Sequence, residues 1–425
     1  MHSESVDGEL ERQVVETARA ARQASRRLAL LDDTIKRQAL EAMAYGLEGG
    51  VQEILEANEL DLAEAAAGGH NAAFLDRLRL DRGRLQGMAN ALREVARMPD
   101  PIGLTEAAWR RPNGLEIARV RVPLGVIAIV YESRPDVASD AAALCLKSGN
   151  ACILRGGSEA ARSSAAIVTA LARAGGQAGL PAGFLQLVPV QAREALTVLL
   201  KLDDLIDLVI PRGGEALIRF VVQHSSIPVV KQYKGVCHTY LHADADLEMA
   251  AAICENAKCQ RPATCNAMET LLIDRAAAQR LLPAIAARLT ARGVTLHGCP
   301  ETCRLAPQAT PAGEHTYDTE YLELSLSVKV VDGLEGALEH IARHGSGHSE
   351  AIVTGDYAIS QRFLREVDAA AVYVNASTRF TDGGQFGLGA EIGISTQKLH
   401  ARGPMGLAEL TSYKYVVRGS GQVRG

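Results

Sequence analysis

The hydrophobic and polar positions from about residue 9 to 98 repeat with the period of amphipathic helices. Apolar residues such as Ile35, Leu40 and Leu47 recur at helical spacing, and charged residues occupy the intervening positions. Acidic residues and a threonine at 32–34 are typical of a helix start, and the prolines of Met98–Pro101 end the pattern. The sequence therefore predicts a helical region before the first strand.

From residue 122 onward, short apolar runs alternate with helical segments. Runs bounded by turn residues predict strands at 125–130, 151–154, 184–188, 205–210 and 227–230. A second series predicts strands at 268–273, 322–331, 351–354 and 371–374. Strands that alternate with helices form right-handed βαβ units around a parallel sheet, and ligands bind at the carboxyl ends of such strands. The predicted fold class is α/β, with two doubly wound parallel-sheet domains.

Two further segments have the pattern of antiparallel strands. Residues 104–121 carry an Asn113-Gly114 turn between extended arms, which is typical of a β-hairpin. Such a hairpin is either an oligomerisation arm or an ordinary surface loop, and the sequence leaves both open. The C-terminal segment 411–418 alternates like an edge strand, and such a strand could pair with the hairpin of a partner subunit.

Composition and charge exclude several classes of function. The 425 residues are too many for one hydrophobic core, so two or three domains are expected. The net charge is −5 without a basic tract, which argues against binding to nucleic acid or to an anionic membrane. The longest apolar run is far shorter than the roughly 20 residues that span a bilayer, and the polar N-terminus has no secretory pattern. We expect a cytoplasmic protein.

The cysteines and histidines show no metal-binding pattern, and we predict no metal site. The eight cysteines form no small-domain disulfide framework, which favours a reducing compartment. Cys299 and Cys303 have no second ligand pair beyond the neighbouring His297. The remaining candidates, which a helix C-terminus explains better than a metal does, are His340, His344 and His348.

The segment from Asn256 to Thr270 carries the strongest candidate chemistry. It places Cys265 in a polar, basic, turn-forming run between a helix-like and a strand-like segment. Only a thiolate is a strong nucleophile, and the nearby Lys258 and Arg261 favour the charged form. The segment indicates a covalent catalyst that attacks a carbonyl. The alternative is a small buried hydrophobic residue, which is what most cysteines are.

Two Gly-Gly turns follow predicted strands and open helices. They consist of Arg155, Gly156 and Gly157 after one strand, and of Arg212, Gly213 and Gly214 after another. Small residues at such turns let backbone amides approach an anionic group. Neither turn is a G-x-G-x-x-G or P-loop motif, and a tight turn with nothing bound is the alternative for each. Two such turns in one sheet indicate a nucleotide.

Several long stretches together resemble the aldehyde dehydrogenase superfamily. They are VPLGVIAIVYESRPD at 122–136, KSGN at 147–150, ILRGG at 153–157, QRPATCNAMET at 260–270, VNASTRF at 374–380 and EIGISTQKLHARGPMGL at 391–407. The similarity runs from roughly residue 10 to 418 in that family's order. The resemblance implies a homo-oligomer with three parts: an NADP-binding domain at 1–236, a catalytic domain at 237–375, and a return to the cofactor domain with a C-terminal oligomerisation strand at 376–425.

The resemblance also implies a reaction. It is the NADPH-dependent reduction of L-glutamyl 5-phosphate to glutamate 5-semialdehyde with release of phosphate, the second step of proline synthesis from glutamate. The nucleophile of the family aligns with Cys265, which would form a thioester and so divide one hard step into two. A separate glutamate 5-kinase would supply the acyl phosphate.

The family's other functional positions align with residues of this chain. The two Gly-Gly turns fall at the adenosine ribose and the pyrophosphate, and Glu320 falls where relatives hold the nicotinamide ribose. For Glu320 the alternative is a solvated carboxylate at a strand start. The residues expected to bind the substrate, each of which could instead be structural, are Ser133, Arg134, Asn375, Ser377 and Arg379.

One departure from the wider superfamily bears on the chemistry. Gln232 stands where hydrolytic aldehyde dehydrogenases carry a general-base glutamate, and an amide cannot take a proton from water at neutral pH. The chain is therefore expected to reduce its thioester rather than hydrolyse it. A hydrolytic aldehyde dehydrogenase is the nearest alternative, and a non-catalytic nucleotide-binding protein of the same fold is the second.

Overall fold

The structure, a computed structural model, describes residues 2–424, and the side chains of these residues except 2–7, 72 and 73. The chain divides into two compact units. The first comprises Met1–Lys231, Gly387–Gly393 and Met405–Gly425, and the second comprises Gln232–Phe386 and Ile394–Pro404. These boundaries differ from the expected 1–236, 237–375 and 376–425. Residues 232–236 and 376–386 belong to the second unit because both segments contact the loop that carries Cys265.

The first unit begins with the predicted helical region. Its helices are α1 (His2–Leu28), α2 (Asp33–Gly49), α3 (Val51–Ala67), α4 (Ala72–Leu78) and α5 (Arg82–Arg97). The side chains of Asn71 and Asp81 accept hydrogen bonds from the first turns of α4 and α5, which fixes where these two helices start. The predicted hairpin follows as β1 (Thr105–Arg110) and β2 (Glu116–Pro123).

A four-stranded parallel sheet forms the centre of the first unit. Its strands are β3 (Val126–Tyr131), β4 (Ala151–Arg155), β5 (Leu185–Leu187) and β6 (Leu208–Arg212), in the order β5-β4-β3-β6. The connecting helices are α6 (Val137–Lys147), α7 (Ala161–Gln177), α8 (Arg193–Leu199) and α9 (Glu215–His224). The prediction of a fifth strand at 227–230 is wrong. Only Val229 forms a bridge there, opposite Val209, and the neighbouring Pro228 has no N–H for a ladder.

The second unit contains a seven-stranded parallel sheet. Its strands are β7 (Cys237–Leu241), β8 (Met268–Asp274), β9 (Thr295–Gly298), β10 (Thr310–Pro311), β11 (Ser325–Val331), β12 (Ser349–Val353) and β13 (Ala371–Val374), in the order β10-β9-β11-β8-β7-β12-β13. The helices are α10 (Leu247–Cys259), α11 (Arg275–Ala291), α12 (Pro300–Leu305), α13 (Gly333–His344) and α14 (Tyr357–Glu366). A short antiparallel pair, β14 (Ile394–Ser395) and β15 (Gly403–Pro404), completes it.

Helices cover both faces of this larger sheet. One apolar cluster joins α10 and α11 to β8, and a second joins α13 and α14 to β7 and β12. Burial on both faces is typical of parallel sheets, and it confirms the predicted α/β class with two doubly wound sheets. Among the described residues, no helix is long and apolar enough to cross a membrane.

The C-terminal strand β16 (Thr411–Arg418) pairs within its own chain. It runs antiparallel to β2, from Thr411 opposite Pro123 to Arg418 opposite Glu116, and completes a three-stranded sheet in the order β1-β2-β16. The hairpin of the same chain therefore satisfies one edge of β16. Pairing of this strand with the hairpin of a partner subunit stays a prediction.

Candidate active site

The loop between α10 and β8, residues 260–267, carries Cys265. The helix ends at Cys259, and Pro262, which lacks an N–H, follows within the loop. Strand β8 then begins at Met268 and is buried along its whole length. Cys265 lies between these two elements and is partly exposed.

The other thiols near this loop are poorly suited to form thiolates. Burial raises the pKa of Cys254 to about 12. Burial and then the charge of Glu255 raise the pKa of Cys259. Burial, followed by the charge of Glu350, raises the pKa of Cys237. A raised pKa leaves less thiolate at neutral pH, so these three cysteines are weaker nucleophiles than an unperturbed thiol.

Asn266 anchors the loop to a distant segment of the same unit. Its side-chain amide donates to the Thr381 carbonyl at 2.9 Å, and its own carbonyl accepts from the Thr378 hydroxyl at 2.7 Å. Its side-chain oxygen accepts from the guanidinium of Arg379 and from the Thr264 hydroxyl. The short helix Thr378–Phe380 is thereby fixed against the residue that follows Cys265.

Arg379 lies beside the loop that carries Cys265. Its Nε donates to the Gln260 side chain at 2.9 Å, so the guanidinium contacts both ends of the loop. Burial and then Arg261 lower the pKa of Arg379, whereas Cys265 acts in the opposite direction. The guanidinium is therefore close enough to Cys265 for their charges to interact.

Two other expected substrate residues have structural partners. Asn375, at φ 55°, accepts from the Thr354 backbone N–H at 3.0 Å and donates to the Thr354 carbonyl at 2.9 Å. Ser377 is 4 % exposed and accepts from the backbone N–H of Arg379 at 3.3 Å. Both side chains hold the turn that precedes Arg379.

The backbone of Gly235 closely approaches that of Cys265. A Cβ at this position would lie 2.0 Å from the Cys265 carbonyl oxygen, so only glycine fits. The N–H of Gly235 donates to Glu320 at 2.8 Å, and the Cys237 thiol donates to the Cys265 carbonyl at 3.2 Å. Neither Gly235 nor Cys237 was expected from the sequence to lie at the site. A glycine two residues before a buried strand is the available signal, since it often marks a close backbone approach.

In the first unit, two carboxylates of the chain accept hydrogen bonds from backbone N–H groups near the expected cofactor and substrate residues. Glu132 accepts from the backbone N–H of Gly214 at 3.0 Å, at the start of α9. Glu159 accepts from the N–H of Ser133 at 2.6 Å, and Ser133, with φ 53°, is 8 % exposed. Arg134 follows in the same turn and is exposed. The N–H at the start of α9 thus already donates to an anionic oxygen, which is the contact that a nucleotide phosphate would make there.

Arg155 is tied to backbone carbonyls at the end of β4. Its guanidinium donates to Gly156 at 2.8 Å and to Gln191 at 2.9 Å. Burial lowers the pKa of Arg155, and Glu159 acts in the opposite direction. A fixed, partly buried cation at this strand end suits an additional phosphate on a nucleotide ribose.

Comparison with known proteins identifies the family. The sequence model of the aldehyde dehydrogenase family matches residues 5–319. The gamma-glutamyl phosphate reductase of Thermoanaerobacter pseudethanolicus is 53 % identical over 407 residues, covering 96 % of this chain and 98 % of the relative. That of Geobacter sp. (strain M21) is 55 % identical over 412 residues, covering 97 % and 99 %. This chain belongs to the gamma-glutamyl phosphate reductases of the aldehyde dehydrogenase family.

Solved structures agree with this assignment. The crystal structure of the gamma-glutamyl phosphate reductase from Thermotoga maritima matches with a TM-score of 0.95 and 44 % identity, over 97 % of this chain and 100 % of that one. An acetylating aldehyde dehydrogenase from Geobacillus thermoglucosidasius matches with a TM-score of 0.70 at 18 % identity, which shows the shared fold alone. The fold and family expected from the sequence are thus confirmed, and the protein is an oxidoreductase that uses a nicotinamide cofactor.

The predicted site residues of this reductase are divided between the two units. Ser133, Arg134 and the two Gly-Gly turns lie in the first unit. The second unit brings Arg379 and Glu320 into the network around the Cys265 loop, and it contains Ser377 and Asn375 in the adjoining turn. Gln232 opens the second unit in an extended segment, three residues before Gly235.

Proposed function

We propose that this enzyme reduces L-glutamyl 5-phosphate to L-glutamate 5-semialdehyde with NADPH and releases phosphate, in the second step of proline synthesis from glutamate. The observation that carries the proposal is Cys265, a partly exposed thiol in a loop braced by Gly235, Asn266 and Arg379. Its relatives at more than half identity are named for this reaction.

We infer that Cys265 acts as the nucleophile. Its thiolate would attack the acyl carbon of the substrate, form a C–S bond and pass through a tetrahedral oxyanion. The phosphate then leaves with the electron pair of the broken C–O bond, and a thioester remains. The backbone N–H of Cys265 is the proposed oxyanion donor, and loss of such a donor typically costs about 10²–10³ in rate.

The nicotinamide, when bound, supplies the hydride that converts the thioester to the aldehyde. Gln232 stands where a hydrolytic enzyme would have a general base, so water is not activated against the thioester. The residues proposed to hold the cofactor are Arg155, Gly156, Gly157, Arg212, Gly213, Gly214 and Glu320. The Glu132 carboxylate must move away from the start of α9 before a phosphate can accept the hydrogen bond that the Gly214 N–H now donates to Glu132.

The substrate carries a carboxylate, an ammonium group and a phosphate. Arg379 and Arg134 are the proposed partners of the two anions, because a guanidinium binds carboxylate or phosphate with two parallel hydrogen bonds. Ser133 would act in the same turn as Arg134. Asn375 and Ser377 would act by holding the turn before Arg379 in place, given their contacts to Thr354 and to the Arg379 backbone.

We also propose a cytoplasmic homo-oligomer that receives its substrate from glutamate 5-kinase. The eight free thiols agree with a reducing compartment. The sheet β1-β2-β16 exposes large side chains that a second copy would cover. They are Trp109 (42 % exposed), Tyr413 (48 %), Tyr415 (56 %) and Val417 (54 %).

The reverse reaction tests the proposed function. The protein is mixed with glutamate 5-semialdehyde, NADP and inorganic phosphate, and NADPH formation is followed by absorbance beside the Cys265→Ala variant. Phosphate-dependent formation that is lost in the variant is the expected result. Formation without any need for phosphate would show hydrolysis of the thioester, and activity that survives Cys265→Ala would exclude this nucleophile.

A further inference from the structure

A buried ion pair that the proposed chemistry does not use lies at the base of the nucleophile loop. Lys258 in α10 and Glu269 in β8 are both 0 % exposed, and Nζ lies 2.6 Å from Oε2. Burial raises the pKa of Glu269 to about 7 and lowers the pKa of Lys258, in each case against the attraction of the partner. Desolvation therefore outweighs pairing for each group. Fold stability alone is a poor reason to keep such a pair, because apolar residues of similar volume often serve as well.

The position of the pair relative to Cys265 is specific. Lys258 is the penultimate residue of α10, and Glu269 is the second residue of β8. The ion pair consequently joins the two ends of the loop 260–267. A loop closed at its base has fewer accessible conformations than one held only by its flanking elements.

The second oxygen of Glu269 extends this contact to another segment. Oε1 accepts from the backbone N–H of Leu322 at 3.4 Å, and Leu322 has the unusual φ of 56°. Two residues earlier, Glu320 accepts from the N–H of Gly235 at 2.8 Å. Gly235 in turn packs directly on the Cys265 carbonyl. A continuous series of contacts therefore connects Glu269, at the base of the loop, through the segment 320–322 and Gly235 to Cys265.

Other charged groups face the pair. The ammonium of Lys258 lies 5.8 Å from the centre of the Tyr321 ring, and Glu323 and Cys259 act on its charge. The negative charge of Glu320 also raises the pKa of Glu269. The pair is thus embedded between α10, β8 and the segment 320–323, all within the second unit.

We propose that Lys258 and Glu269 are positioning residues that hold the Cys265 loop and the Glu320 segment in a fixed position relative to each other. The inference rests on the proposed role of Cys265 as the nucleophile. Lys258 and Glu269 act through the backbone at Leu322, Gly235 and the loop ends, and they do not touch the reacting atoms.

The test separates positioning from stability by removing both charges at once. The variant Lys258→Met/Glu269→Leu leaves no unpaired buried charge, so its Tm should exceed that of either single variant. We expect its kcat to fall by about 10²-fold with a much smaller change in KM, because a displacement of about 1 Å in a reacting group has that effect. Alkylation of Cys265 by iodoacetamide, followed by peptide mass spectrometry, should change in rate in the same variant.

Two further variants complete the test. In Lys258→Gln/Glu269→Gln the neutral side chains can still hydrogen-bond, and kcat should be about tenfold higher than in the apolar double variant. The matched control is Lys36→Met/Asp100→Asn in the first unit, where Lys36 is also buried and its Nζ lies 2.7 Å from Asp100. That control should lower Tm without changing the alkylation rate of Cys265.

The outcomes are distinguishable. Wild-type kcat and alkylation rate in a folded apolar double variant would overturn the proposal and leave a purely structural ion pair. If that variant does not fold, the Lys258→Gln/Glu269→Gln variant is decisive. A kcat below that of the wild type at a Tm close to that of the wild type would support the proposal, and a wild-type kcat would overturn it. If Cys265→Ala keeps activity, the proposed function fails instead, and the alkylation rates still report whether the pair positions the loop.

Discussion

Replacement of Gly235 by alanine should disable the active site through a single methyl group. The added Cβ would lie 2.0 Å from the Cys265 carbonyl oxygen and 2.7 Å from its carbonyl carbon and Cα. Ordinary contact begins at 3.4 Å, so the added Cβ and the carbonyl oxygen must move apart by about 1.4 Å (3.4 minus 2.0). The atoms concerned are main-chain atoms, and no side-chain rotation can relieve the overlap.

The expected cost falls on catalysis as well as on folding. A displacement of about 1 Å in a reacting group costs about 10²-fold in rate, which corresponds to about 2.7 kcal/mol of activation free energy. Overpacking of this kind destabilises a fold by about 1–3 kcal/mol. The N–H of Gly235 also donates to Glu320, so the shift would disturb that contact as well.

The assay compares kcat in the phosphate-dependent reaction with the alkylation rate of Cys265 and with Tm. Gly345→Ala is the matched control, because its Cβ would lie 2.5 Å from the Ile341 carbonyl oxygen in the same unit, at the end of α13. Both variants should lower Tm, but only Gly235→Ala should lower kcat and change alkylation. If Gly235→Ala keeps the wild-type kcat, the approach of these two backbones does not control the nucleophile.

Three other predictions concern the cofactor, the pH dependence and the oligomer. Arg155→Gln should weaken NADPH binding by about tenfold and leave NADH binding nearly unchanged, as measured by titration of cofactor fluorescence; an equal loss for both would exclude a role at the 2′-phosphate. Burial, followed by the charges of its neighbours, lowers the pKa of His340 to about 2. The folded state therefore holds fewer protons than the unfolded state between pH 6.5 and about 2, and the wild type should lose up to about 1.4 kcal/mol of unfolding free energy per pH unit as the pH falls below 6.5. Denaturant titrations at pH 7 and pH 5 should show a smaller loss in His340→Leu, and an identical loss would contradict a neutral buried imidazole. Tyr415→Lys should reduce the oligomer mass in light scattering, whereas Lys414→Ala in the same strand should not; an unchanged mass for Tyr415→Lys would mean that a different surface joins the subunits.

The sequence predicted elements well where burial alone determines them. Strand β3 is an unbroken apolar run, and all six of its residues are buried. Strand β7 was not predicted, although it is central to the larger sheet and equally buried. It reads Cys-His-Thr-Tyr-Leu, and His238 is tolerated there because Glu350, 112 residues away, accepts from both its backbone N–H and its ring. A pattern of local hydrophobicity cannot reveal a polar pair that forms only when two distant strands become neighbours.

The candidate site shows the same limit at the level of chemistry. Several contacts that hold the Cys265 loop and Glu320 in place are made by main-chain groups. They include the Gly235 N–H, the Asn266 carbonyl and the Thr381 carbonyl. Every residue type carries such groups, so a motif cannot show which of them face the nucleophile. Expected binders such as Asn375 proved to be fully engaged with neighbouring backbone, for a similar reason.

The brace around Cys265 therefore depends on segments that are far apart in the chain. The loop at 260–267 contacts residues near 235 and near 380, and residues near 320 contact Gly235 and Glu269, which lie beside the loop. A substitution in any of these segments can move the thiol without touching it. A thiol whose loop is held by these segments is also restrained before substrate arrives, which lowers the entropic cost of reaching the attacking geometry. On this reasoning, Gly235→Ala and the apolar replacement of Lys258 and Glu269 should reduce kcat through one shared displacement of the loop. Their effects when combined should then be smaller than the sum of the separate effects.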